Sequence, residues 1–194
     1  MQLTQNDYRM LEEESWITRP YADKAGLYRV PSLEGRDRMG RTGAGDYAGI
    51  IFPYPALDTG QIVGERARLD HPPLSAGATK PDYKYLSPKG QRNHFYAPLG
   101  EAPWLANPAL DVVFVEGEKK ALAAHRAAVE GAALANGSSG MPLWLAIGLA
   151  GVYGWAGTVA MTVDAGGQRV PVKGPIPDFE WIRWNGRRRA SWRI

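Results

Sequence analysis

The chain has 194 residues, a formal net charge of +3 and no cysteine, with 44% hydrophobic and 22% charged residues. That length makes one domain or two small ones, able to bury about 70% of the unfolded surface without a disulfide or metal staple. The composition excludes a disordered chain, and the missing cysteine excludes a disulfide framework, a thiolate-held zinc and a cysteine nucleophile.

Twenty-three glycines and fifteen prolines predict many turns and short elements rather than a helical bundle. The longest apolar stretch, residues 141–160, is cut by Pro142, Gly148, Gly151, Gly154 and Gly157, so no membrane span is expected; the missing cysteine fits a reducing, cytoplasmic location. His71, His94 and His125 fall in no metal-ligand spacing such as HExxH, which argues against a zinc hydrolase.

In chain order, Thr4 with Asp7 three residues on predicts a capped helix running to about Trp16 and stopping before Pro20; its run Glu12-Glu13-Glu14 reads as a solvated face. Residues 26–48 are rich in Gly and Arg (Arg36, Arg38, Arg41) and read as a surface loop or a basic arm for a phosphate backbone. Residues 48–53 and 61–69 predict two antiparallel strands. Arg66 and Arg68 are two apart on the second, so they share a face and repel unless an anion sits there.

Residues 80–96 interleave Lys80, Lys84, Lys89 and Arg92 with Tyr83, Tyr85, Phe95 and Tyr96. Cations for phosphates and rings for bases are how single strands are held without sequence readout; the competing reading makes the rings core anchors.

From residue 111 the pattern becomes α/β. A buried strand at 111–115, an Ala-rich helix at 118–130 and a second buried strand at 143–147 predict a βαβ unit. Residues 158–163 and 168–172 predict a hairpin, 178–184 a short amphipathic element, and the tail carries Arg187, Arg188, Arg189 and Arg193 without an acid. Glu116 follows the first parallel strand, so it belongs at the carboxyl edge of the sheet, where such sheets bind ligands. Gly117 permits the tight backbone turn there. Lys119 and Lys120 lie in the first helical turn, where the helix dipole disfavours cations and a phosphate would relieve them.

The stretch VFVEGEKKA (113–121) resembles the glutamate motif that opens a Toprim domain, the catalytic fold of bacterial primases and topoisomerases. Upstream, GIIFPY (49–54), GERAR (64–68), KYLSP (84–88) and KGQRNHFY (89–96) resemble, in order and spacing, the basic subdomain preceding Toprim in bacterial replicative primases. With GLAGVYGW (148–155), these segments are most similar to the DUF3854 family, Toprim-like domains of primase-helicase proteins of phages, plasmids and other mobile elements; the resemblance covers roughly residues 20–190.

The resemblance implies a basic N-terminal subdomain of antiparallel strands (1–105) packed on a partial Toprim-like parallel βαβ sheet (106–194). By position, Glu116 is the Toprim glutamate, a general acid/base or partial Mg²⁺ ligand. Arg66, Arg68, Lys84, Lys89, Arg92, His94, Lys119 and Lys120 are the implied phosphate and nucleic-acid contacts, and Gly117 is the turn. The implied cofactor is Mg²⁺, and the implied partners are single-stranded DNA, nucleotides and a helicase. The family's Asp-x-Asp pair has no counterpart in the sequence: Asp164 is solitary. In the family the strand that carries the pair begins close to residue 194, so three alternatives stay open: a natural short form, a split gene product, or a piece cut before the acidic strand; catalysis needs that strand supplied. Two further readings stay open: a non-catalytic nucleic-acid-binding module, and a small-molecule α/β domain using Glu116 and Lys119.

Overall fold

The computed structural model describes residues 1–98, 101–137, 141–151, 154, 156–184 and 190–193. By packing, residues 1–56 and 61–91 form one compact unit, and residues 57–60 and 92–194 form another. Both mix helices with sheet: the first is built on an antiparallel sheet, the second on a parallel one.

In the first unit, helix α1 (Gln5–Ser15) starts where the sequence reading expects it. Thr4 Oγ1 accepts the Asp7 N–H at 3.2 Å and Asp7 Oδ2 accepts the Thr4 N–H at 2.8 Å, closing a capping box. The helix ends on Trp16 in the left-handed conformation (φ 54°), and Glu12, Glu13 and Glu14 are exposed. Helix α2 (Arg19–Lys24) follows, with Pro20 in its first turn.

The Gly/Arg-rich stretch departs from the expected loop: it contains strand β1 (Tyr28–Val30) and helix α3 (Ser32–Arg38). Gly35 looks like a helix breaker, but a Cβ there would lie 2.1 Å from the Tyr47 carbonyl oxygen, so this glycine serves close packing inside a helix. Strands β2 (Gly49–Pro55) and β3 (Ile62–Leu69) pair antiparallel as expected. With β1 and β4 (Tyr85–Leu86) the order is β1-β2-β3-β4. One face carries Val30, Ile51, Ala67 and Leu69, packed with Met39 into a core. The register sets Arg29, Ile50, Arg68 and Tyr85 across the other.

In the second unit, β5 (Asp111–Glu116), α4 (Glu118–Asn136) and β6 (Trp144–Leu149) form the expected parallel βαβ. Helix α4 continues past Glu130 through Gly131, where a Cβ would meet Leu143 Cδ1 at 2.9 Å. The helix ends at Gly137 (φ 72°), where the left-handed turn suits glycine. Strands β7 (Ala156–Val163) and β8 (Arg169–Pro175) make the expected hairpin. Residues expected as a short amphipathic element form a 3₁₀ turn, Pro177–Trp181. Strand β9 (Ala190–Arg193) pairs parallel to β5 on the side away from β6.

Phe95 and Ala97 pack with Val112, Phe114, Leu145 and Ile147 in the core of this unit. Residues 92–105, grouped with the N-terminal subdomain in the sequence reading, therefore belong to the second unit. They cover the outer edge of β6: Tyr96 exchanges backbone hydrogen bonds with Gly148 at 2.9 and 2.8 Å, and the Glu101 carboxylate accepts the Ala146 N–H. A covered edge cannot template pairing with another chain. Among the described residues, no helix is long and apolar enough to cross a membrane.

Candidate functional site

Glu116 is the last residue of β5 and is exposed at the carboxyl edge of the parallel pair. Gly117 then turns the chain with φ 83° and ψ 166°, a conformation that favours glycine, and its N–H donates to the Leu149 carbonyl at 2.8 Å. Gly148 lets α4 sit close to β6, since a Cβ on it would lie 3.0 Å from the Gly117 oxygen and 3.1 Å from Ala121 Cβ. The turn that presents Glu116 is thus braced from two strands and a helix.

The neighbours of Glu116 are of mixed sign. Its Oε2 lies 3.8 Å from Lys120 Nζ, both side chains being about half exposed. Lys119 is half-buried, and Glu118 is buried. Part of the charge compensation expected from a bound phosphate at the first turn of α4 therefore comes from the chain's own glutamates. The sequence reading passed over Glu118. It approaches the buried Tyr96, whose hydroxyl pKa is pushed up, mainly by burial and further by the Glu118 charge.

Among the described residues, no group of three or more His, Asp or Glu is arranged to hold a metal ion. Mg²⁺ takes near-octahedral oxygen coordination, and one exposed carboxylate shared with a lysine does not supply it. The described residues of this chain therefore do not fit Mg²⁺ by themselves.

Arg66 and Arg68 share a strand face, as expected, but the chain itself answers their charge. Arg68 lies 3.8 Å from Glu14 of α1, and the Arg66 guanidinium stacks 5.1 Å above the Tyr85 ring. On the same face Arg29 Nε donates to Asp7 Oδ2 at 2.7 Å, and the guanidinium also bonds Asp70. Burial raises the Asp7 pKa, but the hydrogen bonds from Arg29 and Thr4 outweigh it and hold the carboxyl below its ordinary value. Arg38 of α3 bonds Glu34 at 2.8 Å and Arg36 approaches Asp37 at 3.5 Å, so neither forms the free arm one sequence reading proposed. The first unit holds twelve Lys and Arg against eleven Asp and Glu, so it is basic only locally.

The local excess is in the segment before residue 92. Lys80, Lys84 and Lys89 are exposed and have no ion-pair partner among the described residues; in the same segment Tyr83 is 43% exposed. The other rings are committed elsewhere: Phe95 and Tyr96 are core residues, and Tyr85 stacks with Arg66. Of the proposed contacts in the second unit, Arg92 is exposed whereas His94 is buried, which removes His94 from direct contact with a strand. The Arg187-Arg188-Arg189 run lies outside the described residues, as do Val152, Tyr153 and Trp155 of the GLAGVYGW stretch and the side chain of Arg193.

Two further buried acids escaped the sequence reading. Glu101, fully buried, bonds His125 Nδ1 at 2.9 Å and the Ala146 N–H at 2.9 and 3.0 Å. Burial raises its pKa, and those bonds offset the rise only in part. Asp178 accepts the Phe95 N–H at 2.8 Å and faces His94 and Arg92. Comparison of the chain with protein-family models, with curated proteins and with solved structures gives no match.

Proposed function

We propose that the chain is part of a primase-like replication protein of Toprim type, and that its own contribution is to bind single-stranded DNA. The observation that carries this reading is that Lys80, Lys84 and Lys89 are exposed and have no ion-pair partner among the described residues, in the segment that also exposes the ring of Tyr83. Mobile ammonium groups neutralise phosphates, and a flat ring accepts any base by stacking.

Glu116 at the end of a parallel strand supports the Toprim half of the reading. The register pairs Val115 with Arg193, so β9 runs out beside Glu116, where an acidic segment from this or another chain would complete a site. Nucleotidyl transfer needs that segment, because the described carboxylates alone do not hold Mg²⁺.

The test is fluorescence anisotropy with a labelled oligothymidylate and a matched duplex over a salt series. The single strand is expected to bind, with a log–log salt slope of about −0.7 per neutralised phosphate. The variant K80A/K84A/K89A is expected to lose about tenfold in affinity at low salt. No binding of wild type to the single strand at low salt would sink the reading.

The Glu116–Lys120 pairing favours a second, non-catalytic version of the same module. Under it, Glu116→Gln leaves binding unchanged or slightly tighter, since one negative charge is removed. A weaker complex with Glu116→Gln argues against that version.

A further inference from the structure

Arg92 differs from the lysines before it in being held. Its Nε–H donates to His94 Nε2 at 3.2 Å. An arginine nitrogen can only donate, so His94 Nε2 is the acceptor and the ring proton sits on Nδ1. Nδ1 faces Asp178 Oδ2 at 3.4 Å, and the same Oδ2 accepts the Phe95 N–H at 2.8 Å. His94 and Asp178 are buried, at 6% and 5% exposure, while the Arg92 side chain is 62% exposed. The buried pair therefore fixes one edge of the guanidinium and leaves its remaining donors facing water. Asp178 Oδ1 stands 3.9 Å from an Arg92 terminal nitrogen, an ion pair that offsets part of the charge, as Glu14 does for Arg68, but is too long to consume the nitrogen as a hydrogen-bond donor.

Asp178 belongs to the 3₁₀ turn Pro177–Trp181, in which residues three apart eclipse one another. Trp181 is three residues on, so the geometry sets it on the Asp178 side of the turn, and it is 51% exposed. A pre-aimed planar fork held by Asp178 through His94, with an exposed indole three residues on in the same turn, offers both a phosphate grip and a stacking surface.

We propose that Arg92 is a pre-oriented phosphodiester-binding residue, that His94 and Asp178 position it, and that Trp181 takes a base of the same strand. This rests on the single-strand reading above and adds where, in the second unit, the strand is gripped. A lysine could not serve, since it lacks the inward-facing Nε–H and the planar fork.

The probes are an oligothymidylate and inorganic pyrophosphate, with each variant checked for folding by circular dichroism. Arg92→Ala and Arg92→Lys are both expected to weaken the oligothymidylate about tenfold at low salt, as loss of a charge-assisted contact does. His94→Phe is expected to weaken it severalfold. R92A/H94F should be no weaker than R92A alone, because His94 acts only through Arg92. His94→Gln, whose amide oxygen can accept from Nε, should restore most of the affinity; it also serves if His94→Phe fails to fold. Additive losses in the double variant, or an unchanged Arg92→Ala, overturn the proposal. Trp181→Ala should weaken the oligothymidylate and leave pyrophosphate unaffected; no effect on the oligothymidylate overturns the assignment to a strand. If wild type binds pyrophosphate through Arg92 but no oligothymidylate, the single-strand reading fails and the phosphate grip stands. If it binds neither, both fail.

Discussion

Arg29 is the residue on which the first unit's polar interior turns. Its guanidinium joins Asp7 of α1 to Asp70 beyond β3, and its pKa is raised by those two hydrogen bonds. Arg29→Ala leaves Asp7 buried without its cation, which is expected to cost about 3 kcal/mol, measured as a shift in the denaturant midpoint. Asp7 and Glu101 respond oppositely to pH. The folded-state pKa of Asp7 is depressed, so its stabilising contribution is present above about pH 3.8 and is lost as pH falls through the lowered value. The folded-state pKa of Glu101 is raised, so the folded state holds its proton more tightly, and stability declines as pH rises above about 4.5. Glu101→Gln is expected to flatten that decline in melts recorded across the window; an unchanged slope would show that Glu101 does not titrate there.

At the scale of elements, the join between β5 and α4 is constrained both by backbone conformation and by close approach. Gly117→Ala meets no atom within 4 Å, so its cost is conformational, about 2 kcal/mol for a side chain held at φ 83° and ψ 166°. Gly148→Ala instead pushes on the Gly117 oxygen and Ala121, shifting the helix that carries the turn. Both are expected to lower the melting temperature, but only the second should move backbone amide resonances along α4. The β7–β8 hairpin is exposed over most of its length, and two-stranded ribbons are marginal without a packed face. Its amides are expected to exchange with solvent well before those of β5 and β6 in hydrogen-exchange mass spectrometry. Equal protection would mean that something covers the hairpin in solution.

Across the whole molecule, the elements that were legible were those whose pattern is local. The Thr4–Asp7 capping box, the β2–β3 pair, the β5–α4–β6 unit and the β7–β8 hairpin each announce themselves through caps, apolar runs or turn residues a few positions apart. Gly35 and Gly131 lie inside helices where a Cβ would meet Tyr47 and Leu143, a close approach that a glycine's position in the sequence does not reveal. The placement of Glu116 at a strand's carboxyl end was likewise local, since the residue follows an uninterrupted apolar run directly. Charge was a different matter. Arg66 and Arg68 read as available cations, and His94 as a contact, until Glu14, Tyr85 and Asp178 were brought beside them from elsewhere in the chain, whereas the Arg36–Asp37 and Arg38–Glu34 pairs lie within one helical turn. Sequence alone thus determined the strands and helices whose pattern is local, though not β1 and α3, and which glutamate ends a parallel strand, because those follow from neighbours along the chain. Only the tertiary structure decided which charges remain open to a partner, because an ion pair's members can lie tens of residues apart and their meeting depends on packing.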